Sequence, residues 1–185
     1  MNLKKVTKYI VNPKTCIIYP HFDEYGNHYS IVNETDRRLI VEMSPINIIE
    51  LSLLKHASSF KGAKEGARYI LGNTSMNPLM INDKLGLYAI PTMSPANIEC
   101  VWFMLEQYVN RIPMGKDNLH VLFKNGFTAN LNISIKRFDD KLQKAFRLKK
   151  HMDDIIKSPM EYSAENEYSI VIDPNNNGYV IRENN

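Results

Sequence analysis

Two glycines lie among three cationic side chains in the segment Ser58–Gly72, with the sequence SSFKGAKEGARYILG. Gly62 and Gly66 remove side-chain bulk, which would let the backbone come close to a phosphate group. The cations recur at spacings of three and four residues, so on a helix they line one side. They are Lys61, Lys64 and Arg68. This pattern predicts a surface that contacts the backbone of a nucleic acid.

The same segment does not fit a nucleotide-binding loop. Its glycine spacing matches neither GxGxxG nor GxxxxGK[ST], and within it no Ser or Thr follows a lysine to reach a magnesium ion. A solvated helix face with internal ion pairs explains the composition of the segment about as well as a nucleic-acid contact does. Composition alone leaves these two interpretations open.

A second block of cations lies between Ser134 and Ser158, where eight Lys/Arg and four Asp give a net charge of +4. The remaining residues, 159–185, contain five acids and one arginine, a net charge of −4. Cations predicted to fall away from the apolar stripe of this block are Lys136, Arg137, Lys141, Lys144 and Arg147. A basic block followed by an acidic tail indicates a polyanionic partner and a tail that can screen the binding surface.

Other residues that could do chemistry form weaker patterns. His21, Asp23 and His28 are close enough in sequence to share a metal ion, but an exposed polar turn explains them better. Asp139 and Asp140 are adjacent, so on a helix they point about 100° apart and do not share a site. No serine lies in a nucleophile-elbow sequence. The sequence therefore predicts no enzyme, no metal site and no cofactor.

Length and composition predict a globular protein. The chain has 185 residues, of which 44% are hydrophobic, enough for a core that needs no disulfide or metal. Cys16 and Cys100 fit no CxxC or zinc-ligand spacing, which favours two buried, inert thiols in a reducing compartment. Without a secretory signal or an apolar run of about 18 residues, the sequence predicts a cytoplasmic protein with no membrane association.

Strands are predicted in the first forty residues, in KYIVN, TCIIYPHF, HYSIVN and RRLIVEM, because these runs are rich in Ile, Val and Tyr and are separated by turn compositions. A helix is predicted to begin at Pro45 with Ser44 as its N-cap. Further strands are predicted in PLMIN, in KLGLYAIPTM and over Glu99–Leu105.

The second half of the chain carries the clearest local signals. Asn125-Gly126 lies between two strand-like runs and predicts a hairpin with a type I′ turn. Apolar residues at spacings of three and four predict a long amphipathic basic helix over residues 134–157, capped by Ser134. A terminal hairpin is predicted around DPNNNG.

These elements predict an α+β fold with antiparallel strands and a few helices. We expect no helix-turn-helix, because HASSFKG matches its turn poorly. We expect a DNA-binding domain over residues 1–157 and an acidic C-terminal tail over residues 158–185.

Several short motifs, in this order and spacing, resemble the ComK family of competence transcription factors from low-GC Gram-positive bacteria. The resemblance covers roughly residues 9–150. Its motifs are SSFKGAKEG (Ser58–Gly66), PLMI (Pro78–Ile81), IPT (Ile90–Thr92), CVW (Cys100–Trp102), FKNG (Phe123–Gly126) and ISIKRFDDKLQKAF (Ile133–Phe146). The family has Gly-Arg-Lys where this chain has Gly62-Ala63-Lys64, and the tail after about Ser158 matches nothing.

The resemblance implies a transcription activator of DNA-uptake genes. It implies recognition of paired A/T-rich promoter boxes mainly through the minor groove, by dimers that pair into tetramers. It further implies a nucleoid-associated protein that recruits RNA polymerase and is removed by an adaptor–protease system. Because A·T tracts have a narrow minor groove of enhanced negative potential, cations can enter it without a recognition helix.

On this interpretation the cations of the first segment contact DNA and its glycines allow close approach. The proposed phosphate-positioning residues are Lys136, Arg137, Lys141 and Lys144. Pro78-Leu79-Met80 could supply an apolar wedge, although a core strand is the better interpretation. The alternative is a protein-interaction scaffold that does not bind DNA and uses the 134–157 helix and the acidic tail as its surfaces.

Overall fold

The computed structural model of the chain describes residues 3–157, 168–173 and 178–183. It divides into two compact units, Met1–Asp153 and Asp154–Asn185. The separate roles expected for the first 157 residues and for the tail stay a prediction.

A seven-stranded sheet forms the centre of the first unit, in the order β1-β4-β3-β2-β7-β6-β5. Every neighbouring pair in it is antiparallel except β1 and β4, which are parallel. The strands are β1 (Lys4–Val6), β2 (Thr15–Phe22), β3 (His28–Glu34), β4 (Arg38–Val41), β5 (Leu79–Asn82), β6 (Leu87–Pro91) and β7 (Trp102–Met104). This arrangement confirms the predicted α+β class with antiparallel pairing.

One predicted strand, KYIVN, is wrong. Its residues form no ladder, because buried side chains supply their hydrogen bonds instead. The Tyr9 hydroxyl donates to Glu34 Oε1 at 2.8 Å and lies 2.6 Å from Thr15 Oγ1. The Val11 amide donates to Ser52 Oγ at 2.9 Å. The segment is therefore held to β2, β3 and the first helix by side-chain contacts that its composition does not reveal.

A second sheet of three antiparallel strands has the order β10-β9-β8. It consists of β8 (Tyr108–Pro113), β9 (Leu119–Phe123) and β10 (Thr128–Leu131). β8 is preceded by a short 3₁₀ helix, Leu105–Gln107.

The predicted hairpin between β9 and β10 exists, but its predicted type I′ turn is wrong. The Gly126 amide donates to Phe123 O and the Phe123 amide donates to Phe127 O, both at 2.9 Å. Gly126 has a φ of 79°, whereas Asn125 is not among the residues with positive φ. This is a type I turn followed by a left-handed glycine, the usual three-residue hairpin loop.

Three helices accompany the sheets: α1 (Pro45–Lys55), α2 (Phe60–Leu71) and α3 (Ile135–Lys157). The predicted start of α1 is confirmed, because the Ser44 side chain accepts from the Asn47 amide and Pro45 occupies the first turn. Residues 56–59 alone join α1 to α2, so two consecutive helices are linked by a tight turn. The expected absence of a DNA-binding helix-turn-helix stays a prediction.

The central sheet is buried on both faces, and alternate residues of a strand belong to different cores. Phe103 lies in the core formed with α2, α3 and the second sheet, whereas Trp102 lies in the core formed with α1. Tyr88 and Ala89 divide in the same way. α3 packs on the first of these cores, and α2 contacts both, with Ala67 and Leu71 in the first and Phe60 and Ala63 against the second.

In the second unit, β11 (Tyr168–Asp173) pairs antiparallel with β12 (Gly178–Glu183), from Tyr168 opposite Glu183 to Asp173 opposite Gly178. This pairing confirms the terminal hairpin. Most of its predicted turn, residues 174–177, and the start of the tail, residues 158–167, lie outside the described residues.

Candidate nucleic-acid interface

The segment Ser58–Gly72 forms α2 and its two caps. The Ser59 side chain accepts from the Gly62 amide at 3.0 Å, which satisfies one of the free donors of the first turn. Gly72 ends the helix with a φ of 86°, a conformation that favours glycine. Serine before the helix and glycine after it therefore define α2 locally, and packing of Ala67 and Leu71 into the core fixes its rotation.

The three cations of α2 lie on one exposed side, as their spacing predicts. In the described part of the chain, no ion pair involves any of them. Arg68 is instead oriented by a neutral partner, since its Nε donates to Asn73 Oδ1 at 2.8 Å. The alternative interpretation of a solvated helix face required internal ion pairs, and these cations form none in the described residues.

The glycines lie on a different side of α2 from Lys64, and the predicted close approach of their backbone to DNA stays a prediction. Gly62 and Gly66 are each two residues from Lys64, which places them about 160° away around the helix axis. Lys64 and Arg68 line one cavity, and the glycines line another. We call these two sides the cationic flank and the glycine flank of α2.

The glycine flank packs towards α3. Gly62 and Gly66 line an apolar cavity of about 220 Å³ together with Leu148 and Met152 of α3. A Cβ at position 62 would lie 3.1 Å from Ser59 Oγ, whereas a Cβ at position 66 would meet nothing within 4 Å. The surrounding atoms therefore leave little room for a side chain at position 62 and do not crowd a Cβ at position 66.

The cationic flank borders a cavity of about 620 Å³ between α2 and two loops. One loop, Gly72–Pro78, follows α2, and the other contributes residues 94–96. Lys144 of α3 joins this site, because its Nζ donates to Ser75 O at 3.2 Å. Sequence analysis missed the cavity, although GNTSMNP has a loop composition directly after the cations.

The predicted basic face of α3 divides in three dimensions. Lys136 and Arg137 are exposed, and Lys144 is half-buried beside the cavity loop. Lys141 is only 6% exposed, so its expected place on a solvated face is wrong. The pKa of Lys141 is lowered to about 8, mainly by burial and to a smaller extent by the positive charges of Lys144 and Arg137, while Cys100 opposes this shift.

The predicted apolar wedge lies in the core. Pro78 and Leu79 are buried, and Met80 packs against the core from β5. The preferred interpretation of PLMIN as a core strand is confirmed.

Asp23 belongs to the turn between β2 and β3, whereas His21 lies in β2 and His28 begins β3. The Asp23 carboxylate accepts from the backbone amides of Tyr25 and Asn27 and from the Asn27 side chain, which lowers the pKa of Asp23. The His28 ring stacks on Phe22 with 4.6 Å between ring centroids. Among the described residues, no three His, Cys, Asp or Glu could together hold a metal ion.

Both thiols are buried and free, as predicted. Burial raises the pKa of Cys16 to about 11 and also raises the pKa of Cys100. Each thiol is therefore protonated at neutral pH and a poor nucleophile. Among the helices of the described ranges, none has the length and hydrophobicity needed to cross a bilayer.

The fold and the site define an α+β protein with three sheets in its described residues and with exposed cations on α2 and α3. Residues 6–157 match the family model described as ComK protein, and the chain therefore belongs to the ComK family. The chain is also similar to the competence transcription factor of Bacillus subtilis (strain 168), with 26% identity over 148 residues. That alignment covers 80% of this chain and 77% of the relative. No solved structure matches.

Proposed function

We propose that this protein is a transcription activator of competence genes that binds A/T-rich duplex DNA. Family membership and the similarity to a competence transcription factor support this function. One structural observation carries the DNA contact: Lys64 and Arg68 of α2 line a cavity that has no carboxylate among its described lining residues, and Lys144 of α3 contacts a loop of the same cavity. Such an uncompensated cluster attracts a polyanion.

The cationic flank supplies the contacts in this proposal. Lys61, Lys64 and Arg68 are exposed and lie on one side of a helix, so they can enter the narrow, electronegative minor groove of an A·T tract. Gly62 and Gly66 lie on the other flank, and the proposal gives them a packing role towards α3 in place of close DNA approach.

Phosphate contacts come from α3. Lys144 lies at the cavity, and Lys136 and Arg137 are exposed on the first turn of the helix. Lys141 is excluded from this group because its side chain is buried. Contacts of this kind position the protein on the duplex without reading sequence.

The remaining parts of the proposal follow from the family. We infer a cytoplasmic, nucleoid-associated protein that acts as a dimer pairing to a tetramer on promoter DNA and that recruits RNA polymerase. We also infer an adaptor–protease partner that degrades the protein. Size-exclusion chromatography with light scattering, with and without a two-box duplex, tests the oligomer directly.

Fluorescence anisotropy tests the DNA contact. A duplex with paired A/T boxes should bind at least tenfold more tightly than a G/C duplex of equal length at the same salt concentration. A minor-groove drug should compete with the protein, whereas a major-groove blocker should not. Equal affinity for both duplexes would contradict recognition of A/T-rich sequence. Competition by the major-groove blocker alone would show that α2 binds in the major groove.

A protein-interaction scaffold is the second candidate function. It is favoured by large apolar side chains exposed on α3, including Phe146, which is 53% exposed. A folded protein that ignores both duplexes would support it.

A further inference from the structure

The cavity beside the cationic flank is rich in hydrogen-bond donors. Lys64 and Arg68 line it directly, and Ser75 and Ser94 contribute hydroxyl groups. Asn73 accepts from Arg68 through its Oδ1, which leaves its amide NH₂ group as a further donor. These groups surround one space, so a bound anion could receive several charge-assisted hydrogen bonds.

Within the described residues, no Asp or Glu lines this cavity. Lys144 does not line the cavity, but its Nζ donates to the carbonyl of Ser75, which does. An anion entering the cavity therefore meets the positive charges of Lys64 and Arg68, with a third cation, Lys144, on the loop beside it.

The cavity also has an apolar wall and a suitable volume. Phe60, Leu79 and Pro95 line it opposite the polar loop residues. Its volume, about 620 Å³, falls inside the range of roughly 300–1,000 Å³ that is usual for small-molecule sites. A cavity that joins donors to an aromatic and aliphatic wall fits a ligand with a charged end and a flat, largely apolar ring.

From these observations we propose that the cavity binds a phosphate-bearing nucleotide. The phosphate contacts Lys64, Arg68 and Lys144, and the base packs on the wall formed by Phe60 and Leu79. A phosphate joined to a base is present both in a free nucleotide and in a nucleotide within a DNA strand, so either could occupy the cavity. The inference goes beyond the proposed function, because a free nucleotide could bind a protein that never contacts duplex DNA.

Isothermal titration calorimetry of the full chain with deoxyadenosine 5′-monophosphate tests the site. Saturable one-to-one binding is expected, with deoxyadenosine and inorganic phosphate each binding at least tenfold more weakly because each lacks half of the contacts. Absence of binding at millimolar nucleotide, or equal binding by inorganic phosphate alone, would overturn the proposal.

Lys64 of α2 and Lys55 of α1 provide a matched pair of variants. Lys64 lines the cavity, whereas Lys55 is exposed and does not line it. Lys64→Gln should weaken nucleotide binding about tenfold, and Lys55→Gln should change it less than twofold. Equal loss in both variants would show charge attraction without a site and would overturn the proposal.

Ser94→Asp gives an independent variant away from α2. It introduces a carboxylate into the cavity and should abolish nucleotide binding while the melting temperature stays near that of the parent protein. Retained binding in a folded Ser94→Asp protein contradicts the assigned location.

Competition identifies the source of the nucleotide. If the mononucleotide displaces an A/T-rich duplex, the cavity receives a nucleotide of the DNA strand. If both bind together, the cavity receives a free nucleotide. Nucleotide binding without any duplex binding supports this inference and contradicts the proposed function. Failure of the nucleotide site and failure of the proposed function can therefore be told apart.

Discussion

The two flanks of α2 have opposite surroundings although they belong to the same twelve residues. The cationic flank borders a cavity of about 620 Å³ with no acidic residue among its described lining residues. The glycine flank borders an apolar cavity of about 220 Å³ against α3. The difference shows that residues adjacent in sequence can have different surroundings, with cations on one side of the helix and a packing surface on the other.

The largest expected effect concerns the packing side. Leu148, which is 2% exposed, lines the glycine-flank cavity, so Leu148→Ala should lower the free energy of unfolding by about 3 kcal/mol. Urea denaturation measures the loss. DNA affinity per folded molecule should be unchanged, and a specific loss of affinity would show that the two flanks are coupled.

The next effect concerns the binding side. The double variant Lys64→Ala/Arg68→Ala removes two exposed cations and should weaken binding to an A/T duplex by about two orders of magnitude at low salt. The slope of log K against log salt should become shallower by about 1.8 if both residues contact phosphates. Anisotropy titrations at four salt concentrations measure both quantities.

Lys64→Ala alone should produce about half of that change in slope. Thermal melting serves as the control, since both side chains are exposed and their removal should leave stability nearly unaffected. Unchanged affinity and slope would contradict the assignment of the cationic flank.

A buried cation on α3 gives a pH-dependent prediction. The pKa of Lys141 is about 8 in the folded protein and near its ordinary value of 10.5 in the unfolded chain. The unfolded state therefore holds the proton more strongly, and the contribution of Lys141 to stability rises between pH 8 and about 10.5. Lys141→Met should stabilise the protein at pH 7 by on the order of 1–2 kcal/mol.

The relevant measurement is the difference in unfolding free energy between Lys141→Met and the parent protein from pH 7 to 10. Taking the difference removes the opposite trend from buried phenols and thiols with raised pKa values, such as Tyr19 and Cys16. The difference should shrink as pH rises. A constant difference would mean that the pKa of Lys141 is the same in the folded and unfolded states, and would contradict its lowering by burial.

The smallest effect concerns the glycines themselves. Gly66→Ala should stabilise α2 by about 0.8 kcal/mol, because alanine is the better helix former and its Cβ meets no other atom within 4 Å. Gly62→Ala should gain less, because its Cβ would crowd the Ser59 cap at 3.1 Å. Reduced DNA affinity in Gly66→Ala would restore the role in close approach that the sequence suggested.

The position of the glycines could have been predicted from the sequence. A separation of two residues always places side chains on different sides of a helix, so Gly62 and Gly66 could not lie beside Lys64. The burial of Lys141 could not have been predicted from the sequence, because its spacing from Arg137 and Lys144 suits an exposed face equally well. Only the packing of α3 against the sheet layers places it inside.

Turn geometry shows a similar division. Asn125-Gly126 correctly located the hairpin between β9 and β10, since glycine supplies the positive φ. The sequence did not distinguish a two-residue loop from a three-residue loop, because the register of the strands selects between them. The cavity formed with residues 94–96 depends on contacts between distant segments and has no local signal.

By itself, the sequence determined the existence of the helices and most strands, the clustering of cations on α2 and the family to which the chain belongs. Periodicity, caps and turn residues act over a few positions, and those signals are written in consecutive residues. The tertiary structure alone decided that Lys144 contacts the loop after α2, that Lys141 is buried, and that a cavity lies between α2 and two loops. These outcomes depend on how helices and loops far apart in the chain share one buried surface, which no local pattern specifies.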